Sequence, residues 1–185
     1  MCLGQIGSLL PHVVVPSILA AFLIPEWHLS GAQAGLLAGS GAAGYMLTVP
    51  VLATLTDRID ARKILIAGSA LSALGTLLFG LFADKSPWLL LPLMLIYAIT
   101  VPADSGALTS GMSMAAEPNY RGATMAMHST VGFSLSALGA WAAGVALDAA
   151  GGPQSASAWM AAFSVLAAGI LLGPLALYWS RRETQ

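Results

Sequence analysis

The chain has 185 residues, of which 57% are hydrophobic and only 8% are charged. An ordinary soluble domain is about 25% charged, so these few charges exclude a soluble fold of this length. The net charge of −1 gives no indication of binding to nucleic acid, and the single cysteine, Cys2, excludes an internal disulfide framework and a multi-cysteine metal site. We therefore expect neither a metal nor a cofactor.

Six apolar stretches follow one another along the chain, each close to the roughly 20 helical residues that a bilayer crossing requires. Lipid offers no hydrogen-bond partner to an open strand, so we expect helices. The stretches lie near Leu3–Leu23, Ala34–Leu55, Ile64–Phe82, Trp88–Ser113, Ala123–Ala146 and Trp159–Tyr178. The predicted fold class is therefore all-α, a polytopic membrane protein with a bundle of six transmembrane helices. The first stretch has no basic segment before it, which favours a retained span over a signal peptide.

The seven basic residues predict the orientation of these spans. Short loops rich in Lys and Arg tend to stay in the cytoplasm. Six of the seven fall in alternate connections or after the last span: Arg58, Arg62, Lys63, Arg121, Arg181 and Arg182. Only Lys85 breaks the alternation. We expect both termini to be cytoplasmic and the protein to lie in the cell (inner) membrane, with the lipid bilayer as its main partner.

The connections between spans contain recognisable start and stop signals. Ser30 and Gln33 have capping-box spacing at the start of the second span. Pro87 suits the first turn of the fourth span. The pair Gly151-Gly152 predicts a turn between the fifth and sixth spans. Aromatic residues also mark the predicted membrane boundaries, as an interfacial belt does. They are Trp27, Trp88 and Trp159 at outer ends, and Tyr120, Tyr178 and Trp179 at inner ends.

The segment GYMLTVPVLATLTDRIDARKIL, which enters the loop after the second span, resembles a motif of the major facilitator superfamily. In that motif a helix end leads into Asp-Arg-x-Gly-Arg-Arg. The matching residues are Asp57, Arg58, Arg62 and Lys63, whereas Ala53, Asp60 and Ala61 replace two glycines and an arginine. The resemblance implies a transporter in which this loop latches one conformation. Asp57 would meet Arg121 and the positive end of the fifth helix. The alternative is that the basic residues only set orientation.

The second half of the chain, from AITVPADSGALTSG to ALDAAGG, resembles the last three spans of a twelve-span member of the same superfamily. The first half resembles the opening three. The resemblance thus predicts two three-helix units, residues 1–85 and 86–185, that correspond to the first and last of four. A six-span chain supplies half of the usual helices, so we expect a homodimer that rebuilds a twelve-span pore.

Small residues spaced four apart occur in the second and fifth spans, which the resemblance places opposite each other. Such rows let helix backbones approach closely in lipid, where the hydrophobic effect does not drive association. The alternative is chance, because the chain contains 20 glycines. The predicted packing residues are Gly35, Gly39 and Gly44 in the second span and Gly132, Ser136 and Gly144 in the fifth.

Three ionisable residues fall inside predicted spans: His12, Asp104 and His128. Ionisable groups in lipid are costly and are by default functional hypotheses. Asp104 lies between Pro102 and Gly106, where a helix is easily broken, and broken helices often form transporter sites. We expect Asp104 and His12 to bind a substrate or a coupling proton. His128 is a further candidate for this role, with packing or hydrogen bonding within the bundle as its alternative. For Asp104 the alternative is a local turn in which the carboxylate bonds its own backbone.

Three functions remain open on the sequence. The leading prediction is a secondary active transporter that moves a small solute by alternating access. The second is a membrane scaffold, or a truncated product, that transports nothing. The third is a rhomboid-like intramembrane serine protease, suggested by Ser105 in an Asp-Ser-Gly turn. It is disfavoured because the sixth span contains no histidine to act as its base.

Overall fold

The structure is a computed structural model that describes residues 14, 15, 17, 21, 28–36, 59, 61–82, 85, 87–100, 112, 113 and 116–179. All regular structure in these ranges is helical, and they contain no strand. The expected all-α class is confirmed. Because most of the first two predicted spans lies outside these ranges, the count of six stays a prediction.

Four long helices make up most of the described chain. They are α1 (Ala61–Leu81), α2 (Pro87–Thr100), α3 (Arg121–Ala149) and α4 (Ala156–Trp179), with a 3₁₀ turn at Pro118–Tyr120 before α3. They match the third to sixth predicted spans. Three apolar segments within them are long enough to cross a membrane, at Lys63–Leu81, Pro118–Ala149 and Ala156–Leu175. The 29 residues of α3 extend over about 43 Å, more than the roughly 30 Å of a hydrocarbon core.

Local sequence signals determine where several helices begin and end. The Ser30 amide donates to Oε1 of Gln33 at 2.9 Å, and the Gln33 amide donates to Oγ of Ser30 at 3.2 Å. This reciprocal pair is the predicted capping box, and residues 31–36 are helical after it. The helix α2 begins at Pro87, as expected. The predicted start signals are therefore confirmed.

The end of α3 is closed by a glycine pair in positive-φ conformations. Gly151 has a φ of 115° and Gly152 a φ of 77°, which side-chain-bearing residues adopt rarely. The Gly152 amide donates to the carbonyl of Leu147 at 2.9 Å, and the Gly151 amide donates to that of Asp148 at 3.3 Å. These two bonds form a Schellman motif, which satisfies carbonyls that the helix end leaves open. The predicted turn is confirmed.

The core of the described bundle lies between α1 and α4. Helix α1 packs against α2 on one side and α4 on the other, and α3 packs against α4. Phe79 of α1 is fully buried and contacts Tyr97 of α2, with ring centroids 5.3 Å apart, and Phe163 of α4, at 6.0 Å. The backbones of α1 and α4 lie close together at Gly80, where an added Cβ would be 3.1 Å from Cα of Met160. A larger residue at this position would require the two helices to shift.

The prediction that Trp159 belongs to an interfacial belt is wrong. Its side chain is 2% exposed and packs on Phe163, with ring centroids 6.2 Å apart. The indole N–H donates to the carbonyl of Pro153 at 2.9 Å. The ring therefore belongs to the buried hydrophobic core of the described chain. Tyr120 and Tyr178 at the predicted inner boundary are 62% and 55% exposed, as residues of a belt would be.

Replacing Gly80 with valine should destabilise the protein, because the new side chain would meet the backbone of α4. Overpacking of this kind costs about 1–3 kcal/mol. Gly144→Val is the matched control, since no atom lies within 4 Å of the corresponding Cβ position in α3. Thermal unfolding in mild detergent should show a lower midpoint for Gly80→Val than for Gly144→Val. Equal midpoints would contradict the α1–α4 contact.

Candidate functional site

A cavity of about 230 Å³ lies beside the first two turns of α3. It is lined by Met112, Ala123, Thr124, Met127 and His128. Met112 comes from the short helical stretch at residues 112–113, whereas the other four belong to α3. The cavity thus joins the end of the predicted fourth span to the start of the fifth, near the predicted cytoplasmic boundary. Its lining is mainly apolar, with one imidazole.

His128 is the polar group that distinguishes this cavity. Its side chain is 2% exposed. Among the described residues, neither Nδ1 nor Nε2 of His128 has a hydrogen-bond partner. A buried polar group without a partner costs about 1–3 kcal/mol. The hydrogen-bonding capacity of the imidazole is therefore unused among the described residues.

The other polar groups near the cavity are satisfied by their own helix. Oγ1 of Thr124 donates to the carbonyl of Tyr120 at 3.0 Å. One turn beyond Gly132, the buried Oγ of Ser136 donates to the Gly132 carbonyl at 2.9 Å. Such back-bonding uses the hydroxyl proton within the helix. Unlike these two hydroxyls, the ring nitrogens of His128 have no hydrogen-bond partner among the described residues.

The predicted small-residue row of the fifth span coincides with the buried stripe of α3. The buried residues of this helix are His128, Gly132, Ser136 and Ala143. Gly144 is half-buried, whereas Gly35, in the helical segment 31–36, is exposed. A Cβ added at either glycine would have no neighbouring side chain or helix within 4 Å. Gly39 and Gly44 lie outside the described residues. Packing of the second span on the fifth therefore stays a prediction.

The remaining predicted site residues are only partly placed. His12, Asp104, Asp57 and Arg58 lie outside the described residues, and Arg62 is described as part of α1 without its side chain. Lys63 at the start of α1 and Arg121 at the start of α3 are both exposed. The substrate or proton sites predicted at His12 and Asp104, and the latch predicted at Asp57, stay predictions.

Sequence reasoning missed four of the five residues that line the cavity: Met112, Ala123, Thr124 and Met127. Methionine is an ordinary core residue, so its type alone carries no signal. The spacing Met125-x-Met127-His128 was visible, but only the fold shows which methionine lies beside the imidazole. In the described part of the chain, no three side chains among His, Cys, Asp and Glu come together as a metal site.

The long apolar helices, their small buried residues and a buried imidazole define a polytopic helical membrane protein. The sequence model of the Major Facilitator Superfamily matches residues 1–185, which is the whole chain. The chain therefore belongs to the Major Facilitator Superfamily, whose members are transporters rather than enzymes. No curated protein and no solved structure matches it.

Proposed function

We propose that this major facilitator-type protein is a secondary active transporter that moves a small solute by alternating access, coupled to protons. The observation that carries the proposal is His128, an ionisable residue buried in a membrane-crossing helix with no described hydrogen-bond partner. Intramembrane ionisable residues commonly mark substrate or proton pathways. Asp104 and His12 are proposed as further groups on this pathway.

The proposed movement is a rocking of residues 1–85 against residues 86–185. The contact of α1 with α4 joins these two units. At this contact Phe79 packs on Phe163, with ring centroids 6.0 Å apart, and Gly80 lies against Met160. Van der Waals contacts of this kind have no fixed hydrogen-bond partners. They support sliding of one unit past the other.

We propose that the protein lies in the inner membrane of the cell. In the proposed orientation, both termini and the loop before α1 face the cytoplasm. Lys63 and Arg121 are exposed at the starts of α1 and α3, at the same predicted side. Their positive charge supports a cytoplasmic location for that side. Within this arrangement Asp57, Arg58, Arg62 and Lys63 with Arg121 would form the inner latch.

We also propose that two copies of the chain associate through α3. In α3, only 17% of the apolar stretch long enough to cross a membrane is buried inside the protein. The corresponding stretches of α1 and α4 are 56% and 44% buried. Met127 and Trp141 on this helix are 66% and 68% exposed.

Crosslinking of the variant Trp141→Cys, in a Cys2→Ser background, should yield dimers in mild detergent and in membranes. Recovery of monomers alone would contradict the dimer and indicate that lipid covers this face of α3.

A catalytic role is not part of the proposal. The protease alternative needs a histidine within reach of Ser105. The sixth span, α4, contains none, and His128 belongs to α3. Nothing described in the chain favours nucleic acid as a partner either, because the net charge is −1.

Transport can be tested in proteoliposomes that contain a pH-sensitive dye and carry an imposed proton gradient. Small sugars, amino acids, organic acids and organic cations are added one at a time. At least one should accelerate collapse of the gradient, and both Asp104→Asn and His128→Leu should reduce this flux to that of empty liposomes. His128→Leu should not lower the thermal midpoint, because it removes a buried unpaired group.

The matched control is Ser72→Ala. It removes Oγ of Ser72, which in the described part of the chain is the buried unpartnered side-chain atom besides the His128 nitrogens, and Ser72 does not line the cavity. Its flux should equal that of the wild type. Equal flux in the wild type, Asp104→Asn and His128→Leu would contradict proton coupling through these residues. No flux with any solute would favour the scaffold.

A further inference from the structure

The cavity beside α3 brings two thioethers and one imidazole to the same space. Met112, Met127 and His128 all line it. Met112 is 8% exposed and His128 is 2% exposed, whereas Met127 is 66% exposed. The imidazole and one thioether are therefore held deep, and the other thioether lies where the cavity opens. Met112 comes from the segment before α3, so the three side chains lie together only because the chain folds this segment against α3.

The chemistry of these three groups selects a class of ligand. A neutral imidazole is a common metal ligand, and both nitrogens of His128 lack described partners. Thioethers are soft ligands that prefer Cu(I) to hard cations. The lining contains no carboxylate, which Mg²⁺ and Ca²⁺ sites normally supply. The donor set therefore favours a soft cation.

The charge of the site selects among soft cations. All three donor groups are neutral when the imidazole is unprotonated, so the ion's own charge would be uncompensated. Desolvating an ion inside lipid becomes much more costly as its charge increases. A monovalent ion is thus the best match to this cavity. Bound Cu(I) or Ag(I) would also give the unpaired imidazole a partner.

We infer that Met112, Met127 and His128 form a binding site for a soft monovalent metal cation of the Cu(I) and Ag(I) class. The single cysteine argues against a multi-thiolate metal site, but it leaves thioether ligands open. This inference goes beyond the proposed transport and does not depend on it, because binding is measured on purified protein and transport is measured in vesicles. The ion binds at the inner end of α3, at the junction with the preceding span.

Binding can be tested with Ag(I), which has the same soft monovalent chemistry and needs no reductant. The full chain carries Cys2→Ser, so that the thiol does not compete, and is kept in mild detergent and chloride-free buffer. Equilibrium dialysis with elemental analysis should find one Ag(I) per chain. Met112→Leu, Met127→Leu and His128→Leu should each weaken binding roughly tenfold or more, as loss of metal-site residues does.

The chain provides two matched controls, Met125→Leu on α3 and Met160→Leu on α4, neither of which lines the cavity. Both should bind Ag(I) like the parent. Leucine conserves the volume of methionine, and an unchanged thermal midpoint shows that each variant folds. Ag(I) should also shift the ring ¹⁵N resonances of His128. No bound Ag(I), equal losses in the control variants, or unshifted His128 resonances would overturn the site.

Discussion

The constraint on which the structure depends is that lipid offers backbone and side-chain polar groups no hydrogen-bond partner. Each membrane-crossing segment must therefore satisfy its own amides and carbonyls, which makes the chain helical. The same constraint explains the back-bonded hydroxyls of Thr76, Thr124 and Ser136, each of which donates to a carbonyl four residues earlier. In the described part of the chain, the nitrogens of His128 and Oγ of Ser72 are the buried side-chain polar atoms without a hydrogen-bond partner.

The same constraint shapes how the helices pack. Lipid removes the hydrophobic effect as a driving force between helices, so close van der Waals contact must replace it. The approach of α1 to α4 at Gly80 and the ring contacts of Phe79 provide this contact. Helix α3 is joined to the rest mainly through α4 and has the least buried apolar window of the three long spans. Because α1 and α4 belong to different predicted units, the contact between them is where the proposed rocking would take place.

Local features of this fold could be predicted from the sequence because neighbouring residues decide them. The capping pair Ser30 and Gln33, the helix start at Pro87 and the turn at Gly151-Gly152 depend on the chemistry of a few adjacent positions. The spans themselves follow from the length of the apolar stretches. Family membership was also predictable, since the residues around Asp57 carry enough of the motif.

Features that depend on contacts between helices could not be predicted. Gly80 is one of 20 glycines, and nothing in its neighbours distinguishes it from Gly144. Trp159 was expected at the lipid interface because its position in the sequence is the same whether the ring turns inward or outward. The cavity was partly predictable: His128 was singled out as an ionisable residue in a span, but Met112 reaches it only through the fold.

The central claim, that lipid surrounds these helices in the stated orientation, is tested most directly by cysteine accessibility in sealed vesicles. In a Cys2→Ser background, single cysteines replace Ala61, Gln154 and Thr184. These positions lie at the first residue of α1, between α3 and α4, and near the C-terminus. An impermeant maleimide should label Ala61→Cys and Thr184→Cys from the cytoplasmic face and Gln154→Cys only from the opposite face. Labelling of Ala61→Cys and Thr184→Cys from opposite faces would contradict the account.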